Sequence, residues 1–148
     1  MMKIQKSAMV PYTAGQMYAL VADIESYPLF LPWCTEVKLL ARGEHDVTAR
    51  VGLARSGIRQ AFTTRNRLHD GERIDMQLVD GPFRRLHGHW SFQPVGTERQ
   101  GCLVALHLEF EFSSRLLAMT FGKAFHSISN SLIDAFCARA RDLYGCQN

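Results

Sequence analysis

Residues 104–128 read VALHLEFEFSSRLLAMTFGKAFHSI. Val104, Leu106, Leu108, Phe110 and Phe112 alternate with His107, Glu109 and Glu111, the period of a strand with one buried face. At Ser113-Ser114 the period changes. Leu117, Phe121, Phe125 and Ile128, then Leu132, Phe136 and Leu143, recur at helical spacing, with Lys123, Ser127, Asn130, Asp134 and Arg141 on the other side. Ser113 or Ser114 is placed to cap this helix, and Gly145 to end it. A strand with one apolar face thus runs directly into a long helix with one apolar stripe.

Upstream, the period of two persists from Cys34. The apolar sets are Val37 and Leu39; Val47, Ala49, Val51 and Leu53; Ile58, Phe62 and Leu68; Ile74, Met76 and Leu78; and Leu86, Trp90 and Phe92. Turn signals divide them at Arg42-Gly43, Ser56-Gly57, Asp70-Gly71, Asp80-Gly81-Pro82 and Val95-Gly96. With no crossover helix between them, successive runs pair as an antiparallel meander. Before Cys34, Ile4 to Val10 reads as one more strand. Thr13 and Gln16 form a capping box for a helix carrying Met17, Leu20, Val21 and Ile24 on one face. Two prolines then bracket Leu29, Phe30 and Leu31, giving a short helical turn or stiff loop. The expected architecture is α+β: a curved seven-stranded antiparallel sheet covered by the long C-terminal helix, in one domain spanning residues 1–148.

A twisted sheet and a straight helix have unmatched curvatures, so the space between them is filled by large side chains or left open. Inward positions include Phe62, Met76, Trp90, Phe92, Leu106, Leu108, Phe121 and Phe125. Gly88, between Leu86 and Trp90, marks a bend or a close approach to the backbone.

Composition narrows the function classes. The chain has 148 residues, 47% hydrophobic and 21% charged, which suits a folded globular protein. No apolar run approaches the roughly 18 residues of a membrane span, and no signal or transit pattern opens the chain. A cytoplasmic protein is expected. The net charge of +3 is too small to imply nucleic-acid binding, although thirteen of the seventeen basic residues are arginines. Cys34, Cys102, Cys137 and Cys146 lack metal or disulfide spacing and are expected to be reduced. His87, His89 and His107 share the polar parity with Arg85, Glu109 and Glu111, as solvated side chains rather than zinc ligands. No nucleophile motif or phosphate loop is present, and no enzymatic activity, catalytic cofactor or metal is expected.

Several segments together resemble the coenzyme-Q-binding START-domain family, which includes bacterial ribosome-association toxins. They are Met17-Tyr18; Val21-Ala22-Asp23-Ile24-Glu25-Ser26-Tyr27-Pro28-Leu29-Phe30-Leu31-Pro32-Trp33-Cys34; Val79-Asp80-Gly81-Pro82-Phe83 leading to Leu86, Gly88, Trp90 and Phe92; Phe110-Glu111-Phe112-Ser113-Ser114; and Ala135-Phe136, Arg139-Ala140 and Leu143-Tyr144-Gly145. The resemblance implies a helix-grip fold of the START/Bet v 1 kind with a hydrophobic tunnel between sheet and helix. It implies a ubiquinone or similar polyprenyl lipid as ligand, in a bacterial carrier or chaperone supporting respiration. The alternative it implies is a toxin that binds the large ribosomal subunit and blocks subunit joining.

For the lipid reading, the expected tunnel wall comprises Phe30, Leu31, Trp33, Phe62, Met76, Phe83, Trp90, Phe92, Leu106, Leu108, Phe121 and Phe125. Trp90, Gln60 and Asn66 are candidate donors to quinone oxygens, the last two sharing the parity of Phe62; otherwise Gln60 and Asn66 belong to a partly solvated end of the sheet. Phe30, Leu31 and Trp33 either gate the tunnel and dip into the inner-membrane surface as a peripheral contact, or plug the core. A long tail would overrun an ordinary pocket and call for an opening or a second copy of the chain in a homodimer. For the ribosome reading, Lys38, Arg50, Arg59, Arg65, Arg67 and Arg85 gather on the outer sheet face. They either meet RNA phosphates or are balanced by Glu36, Asp75, Glu109 and Glu111.

Overall fold

A computed structural model describes residues 2–145. Its strands are β1 (Met2–Val10), β2 (Cys34–Arg42), β3 (Asp46–Arg55), β4 (Ile58–His69), β5 (Arg73–Asp80), β6 (Phe83–Val95) and β7 (Gly101–Phe112). Its helices are α1 (Ala14–Ala22), α2 (Tyr27–Phe30) and α3 (Arg115–Tyr144), with a single 3-10 turn at Ile24–Ser26. All neighbouring strands are antiparallel, in the order β1-β7-β6-β5-β4-β3-β2. The meander is therefore completed by the first strand pairing with the last. This is the helix-grip α+β fold.

The local signals act as expected. Thr13 Oγ1 accepts from the Gln16 amide at 3.1 Å and Gln16 Oε1 from the Thr13 amide at 2.9 Å, a complete capping box on α1. Ser114, not Ser113, caps α3 by accepting from the Leu117 amide at 3.1 Å. Ser113 instead secures the preceding turn through the Pro82 carbonyl. In β7, buried and half-buried residues alternate without interruption. The helical stripe departs at its end: Leu143 is exposed, and Phe136, Ala140 and Tyr144 carry the packed face onward. The Tyr144 hydroxyl donates to the Gln16 carbonyl at 3.2 Å, and the Tyr12 hydroxyl to the Gly145 carbonyl at 2.6 Å. These bonds pin the end of α3 beside the start of α1.

Four irregularities bend the sheet: two in β2, at Cys34/Glu36 and Leu39/Ala41, one between β4 and β5 at Thr63/Thr64, and one between β6 and β7 at Phe83/Arg85. A bulge adds a residue to one strand and increases the local twist. Two large apolar clusters fill the concave side, with a smaller one at Ile24, Val47 and Ala49. Phe83, Phe110, Phe112, Phe121 and Phe125 interlock under the first half of α3, with ring centroids from 4.8 to 6.3 Å apart. Trp90, Phe92, Leu106, Ile133, Phe136 and Ala140 form the other cluster, which α1 closes with Met17, Tyr18 and Val21.

Candidate functional site

Between the two clusters the sheet and α3 leave a cavity of about 100 Å3. Trp33, Phe62, Met76, Trp90, Leu106, Leu108 and Phe125 line it, together with Asn66. The wall also takes Val21 and Ile24, Tyr27 from α2, Val51 and Leu53 from β3, and Ser129 and Phe136 from α3. Its polar part is small. Thr64 Oγ1 donates to Asn66 Oδ1 at 3.0 Å, and both residues are buried. With Oδ1 so engaged, the Asn66 amide nitrogen is left to serve the cavity, whose wall also carries the donor side chains of Trp90 and Ser129. Burial pushes the Tyr27 phenol far above its ordinary range, and its hydroxyl donates to the Val21 carbonyl, closing the α1–α2 corner.

The remaining expected wall residues lie elsewhere. Phe83 and Phe121 are spent in the phenylalanine cluster, where each packs on Phe125 at 4.9 and 5.6 Å. Phe92 packs edge-on to Tyr18 at 5.8 Å. Leu31 is fully buried and Trp33 nearly so, so neither forms a membrane-dipping edge. Phe30 lies against Phe136 at 5.4 Å, with the Arg139 guanidinium 5.0 Å over its ring. The large side chains of the segment therefore plug the core except Leu29, which projects at 74% exposure between the exposed Pro28 and Pro32. Gln60 pairs with Leu53 along β4 and is not on the cavity wall. Gly88 is also absent from the wall; the backbone that approaches it is that of β7.

The outer face is a second candidate. Strand register lays its side chains out in rows. One row runs Thr48, Arg65, Gln77, His87, Glu109 and Lys3 from β3 to β1; the next runs Asp46, Arg67, Asp75, His89, His107 and Gln5. His87 Nε2 donates to Glu109 Oε2 at 2.7 Å, and Lys3 Nζ lies 3.3 Å from Oε1 of the same carboxylate. These two partners hold the Glu109 carboxyl below its ordinary range. The rings of His89 and His107 stack at 5.4 Å, and Gln5 Nε2 donates to His107 Nδ1 at 3.0 Å. Partial burial, with the charges of Arg73 and His107, lowers the His89 imidazole. Among the described residues no cluster has the arrangement of a metal site. Cys146 lies outside the described residues.

Arg65, Arg67 and Arg85, three of the expected basic residues, converge on an outer groove of about 670 Å3, where Arg73 and Arg84 join them. Lys38 and Arg50 stand opposite each other on β2 and β3 and, with Arg59, lie outside it. Alternation counted back from Leu86 turns Arg84 inward, whereas the bulge at Phe83/Arg85 leaves both Arg84 and Arg85 exposed. Thr64 shares the parity of Phe62, and Ser129 lies four residues after Phe125. Both were therefore open to detection as cavity residues by spacing alone.

This architecture, a bent sheet holding a helix over a small apolar cavity, is that of START-like proteins. The chain belongs to the family described as "Polyketide cyclase / dehydrase and lipid transport", whose profile matches residues 10–137. It is 42% identical over 147 residues to the ribosome association toxin RatA of Escherichia coli strain K12, covering 99% of this chain and 92% of that protein. It is 25% identical over 144 residues to the mitochondrial coenzyme Q-binding protein COQ10 homolog B of Xenopus laevis, covering 96% of this chain and 59% of that one. Among solved structures, the 18 kDa protein CC1736 of Caulobacter crescentus superposes with a TM-score of 0.77 at 33% identity, covering 99% of this chain and 100% of that one. No described helix is long and apolar enough to cross a membrane.

Proposed function

We propose that the chain is a bacterial cytoplasmic ribosome-binding protein that acts on the large subunit and blocks subunit joining, with residues 1–148 working as one domain. The observation that carries this reading is the 42% identity to a ribosome association toxin over 99% of the chain. The size of the inner cavity supports it. A dry cavity of roughly 150 Å3 accepts benzene, and drug-sized ligands need roughly 300–1,000 Å3. At about 100 Å3, this interior holds no quinone ring with its tail unless α3 and the sheet separate. His69 pairs with Asp75 and His87 with Glu109 on the outer sheet face, away from the cavity.

The test is co-sedimentation of the full chain with isolated large subunits, small subunits and intact ribosomes across a salt series. The chain is expected to pellet with large subunits at low salt and to be released as salt rises. Recovery in the supernatant with every particle at low salt overturns the reading.

A second reading rests on the cavity itself. An apolar wall with one oriented amide, that of Asn66, suits the head of an isoprenoid such as ubiquinone, provided the interior opens. The uncovered tail would then need an opening, a membrane surface or a second copy of the chain. A quinone at 100 times its Kd would stabilise the fold by about 2.7 kcal/mol. An unchanged melting temperature with saturating short-tail ubiquinone overturns this reading.

A further inference from the structure

The outer groove departs sharply from the charge of the whole molecule. Five arginines, Arg65, Arg67, Arg73, Arg84 and Arg85, line it with one carboxylate, Asp75, in a chain whose net charge is +3.

Two breaks in regular pairing build it. β5 and β6 pair only from Arg73 opposite Ser91 to Gln77 opposite His87. Beyond that point Leu78 and Asp80 pair with β4, while Arg85 and Leu86 pair with β7, so the sheet parts between β5 and β6. At the edge of this gap the bulge at Phe83/Arg85 lets two consecutive arginines, Arg84 and Arg85, both stand exposed on the outer side.

The nearby carboxylates are unevenly used. Asp46 accepts from Arg65 Nε at 3.0 Å. Asp75 accepts from Arg73 at 2.6 Å and from His69 at 2.9 Å. Glu111 lies 4.0 Å from Arg84, beyond hydrogen-bond reach. Arg67 and Arg85 have no ion-pair partner among the described residues. The groove thus has anchored walls, Arg65 and Arg73, and three guanidinium forks with donors to spare.

We infer that this groove recognises the phosphate backbone of RNA, with Arg67, Arg84 and Arg85 donating paired N–H groups to phosphate oxygens. The inference rests on the ribosome reading and assigns the contact to ribosomal RNA. Guanidinium forks match phosphate oxygens in pairs, and the stacked His89–His107 rings beside them offer a flat face to an unpaired base. None of the exposed large apolar side chains among the described residues lines the groove, so it lacks the apolar anchor that accompanies charge in stable membrane attachment.

The test compares the full chain with two triple variants of equal charge: Arg67→Gln/Arg84→Gln/Arg85→Gln in the groove, and Lys38→Gln/Arg50→Gln/Arg59→Gln outside it. All six side chains are exposed, so both variants are expected to keep the wild-type melting temperature. Affinity for large ribosomal subunits is measured against salt. The groove triple is expected to lose at least tenfold at low salt, and its log K against log salt slope to fall by about 2–3. Arg85→Gln alone, the safeguard should the triple misfold, is expected to lower the slope by about 1. The control triple is expected to keep most of its affinity. A groove triple that binds subunits like wild type overturns this inference and leaves the ribosome reading standing. Equal losses in both triples overturn it too, as does a groove triple that loses only its binding to phosphatidylglycerol vesicles. Wild-type chain that ignores the subunits at low salt overturns both proposals.

Discussion

Gly88 lies so close to β7 that a side chain there would take the place of the His107 carbonyl. A Cβ on Gly88 would sit 2.2 Å from that oxygen and 2.9 Å from the Leu108 Cα, both backbone atoms of a strand paired on both sides. Gly88→Ala is therefore expected to destabilise the fold by about 2–3 kcal/mol through overpacking, lowering Tm by roughly 4–12 °C. Thermal unfolding followed by circular dichroism checks this. An unchanged Tm would mean that the two strands part freely at this point.

Thr64 and Asn66 form a polar pair inside an apolar wall. Thr64→Val keeps the shape but leaves Asn66 Oδ1 without its donor, at an expected cost of about 1–3 kcal/mol. Adding Asn66→Leu to that variant removes the orphaned amide and is expected to recover part of the loss. The measurement is a double-mutant cycle by denaturant unfolding, and strict additivity would show that the pair does not interact.

Both longer helices of the fold begin at a hydroxyl cap, Thr13 for α1 and Ser114 for α3. Thr13→Ala removes the hydroxyl from the capping box of α1, and Ser114→Ala removes the one at the start of α3. Each is expected to cost about 1 kcal/mol, seen as a lower denaturant midpoint at constant m-value.

Acid stability follows from the outer face. Partial burial, aided by Arg73 and His107, lowers the folded His89 pKa from an ordinary 6.5. Its protonation then opposes the fold, so the stability it contributes is complete above pH 6.5 and is lost as pH falls through the folded value. Glu109, lowered by its hydrogen bonds from His87 and Lys3, and Asp46, lowered chiefly by its hydrogen bond from Arg65, act in the same direction. Their windows begin near the ordinary 4.5 and 3.8 and extend downward. His89→Gln is expected to flatten the stability profile just below pH 6.5, and Glu109→Gln only in the more acidic range. Melting temperatures between pH 3 and 8 separate the two.

Thiol chemistry gives an independent reading of the packing. Burial pushes the Cys34 and Cys102 thiols up to about 11 and raises Cys137 as well. Of the three, only Cys137 is partly exposed. In a Cys146→Ser background, an aromatic disulfide reagent at neutral pH is expected to modify Cys137 first and to reach Cys34 and Cys102 only on unfolding. Early labelling of Cys34 would mean that the segment around Trp33 opens in solution.

Much of the fold was legible because period and punctuation agree. Val104 to Phe112 alternates cleanly, Ser114 caps, and Phe121, Phe125 and Ile128 keep helical spacing, so strand and helix follow from local rules. The site was less legible. Parity can say that Phe83, Phe92 and Phe121 point inward, but not that neighbouring rings consume them before they reach the cavity. Arg84 was hidden by a bulge, which breaks the alternation used to find it. The pairing of β1 with β7 was also out of reach, since pairing between strands so far apart in the chain leaves no trace in local spacing. The cavity's small volume is set by how far α3 sinks between the two apolar clusters, a property of the whole packing.

The pairing of β1 with β7 shapes how the chain must be made. Lys6 finds its partner, Leu106, about a hundred positions downstream. During synthesis the opening strand emerges early and waits, its hydrogen-bonding edge bare, while six later strands are still being translated. Contacts so distant along the chain slow folding, and an edge left bare invites pairing with another nascent copy. Translation rate and chaperone supply should therefore govern the yield of native protein more strongly than its final stability does.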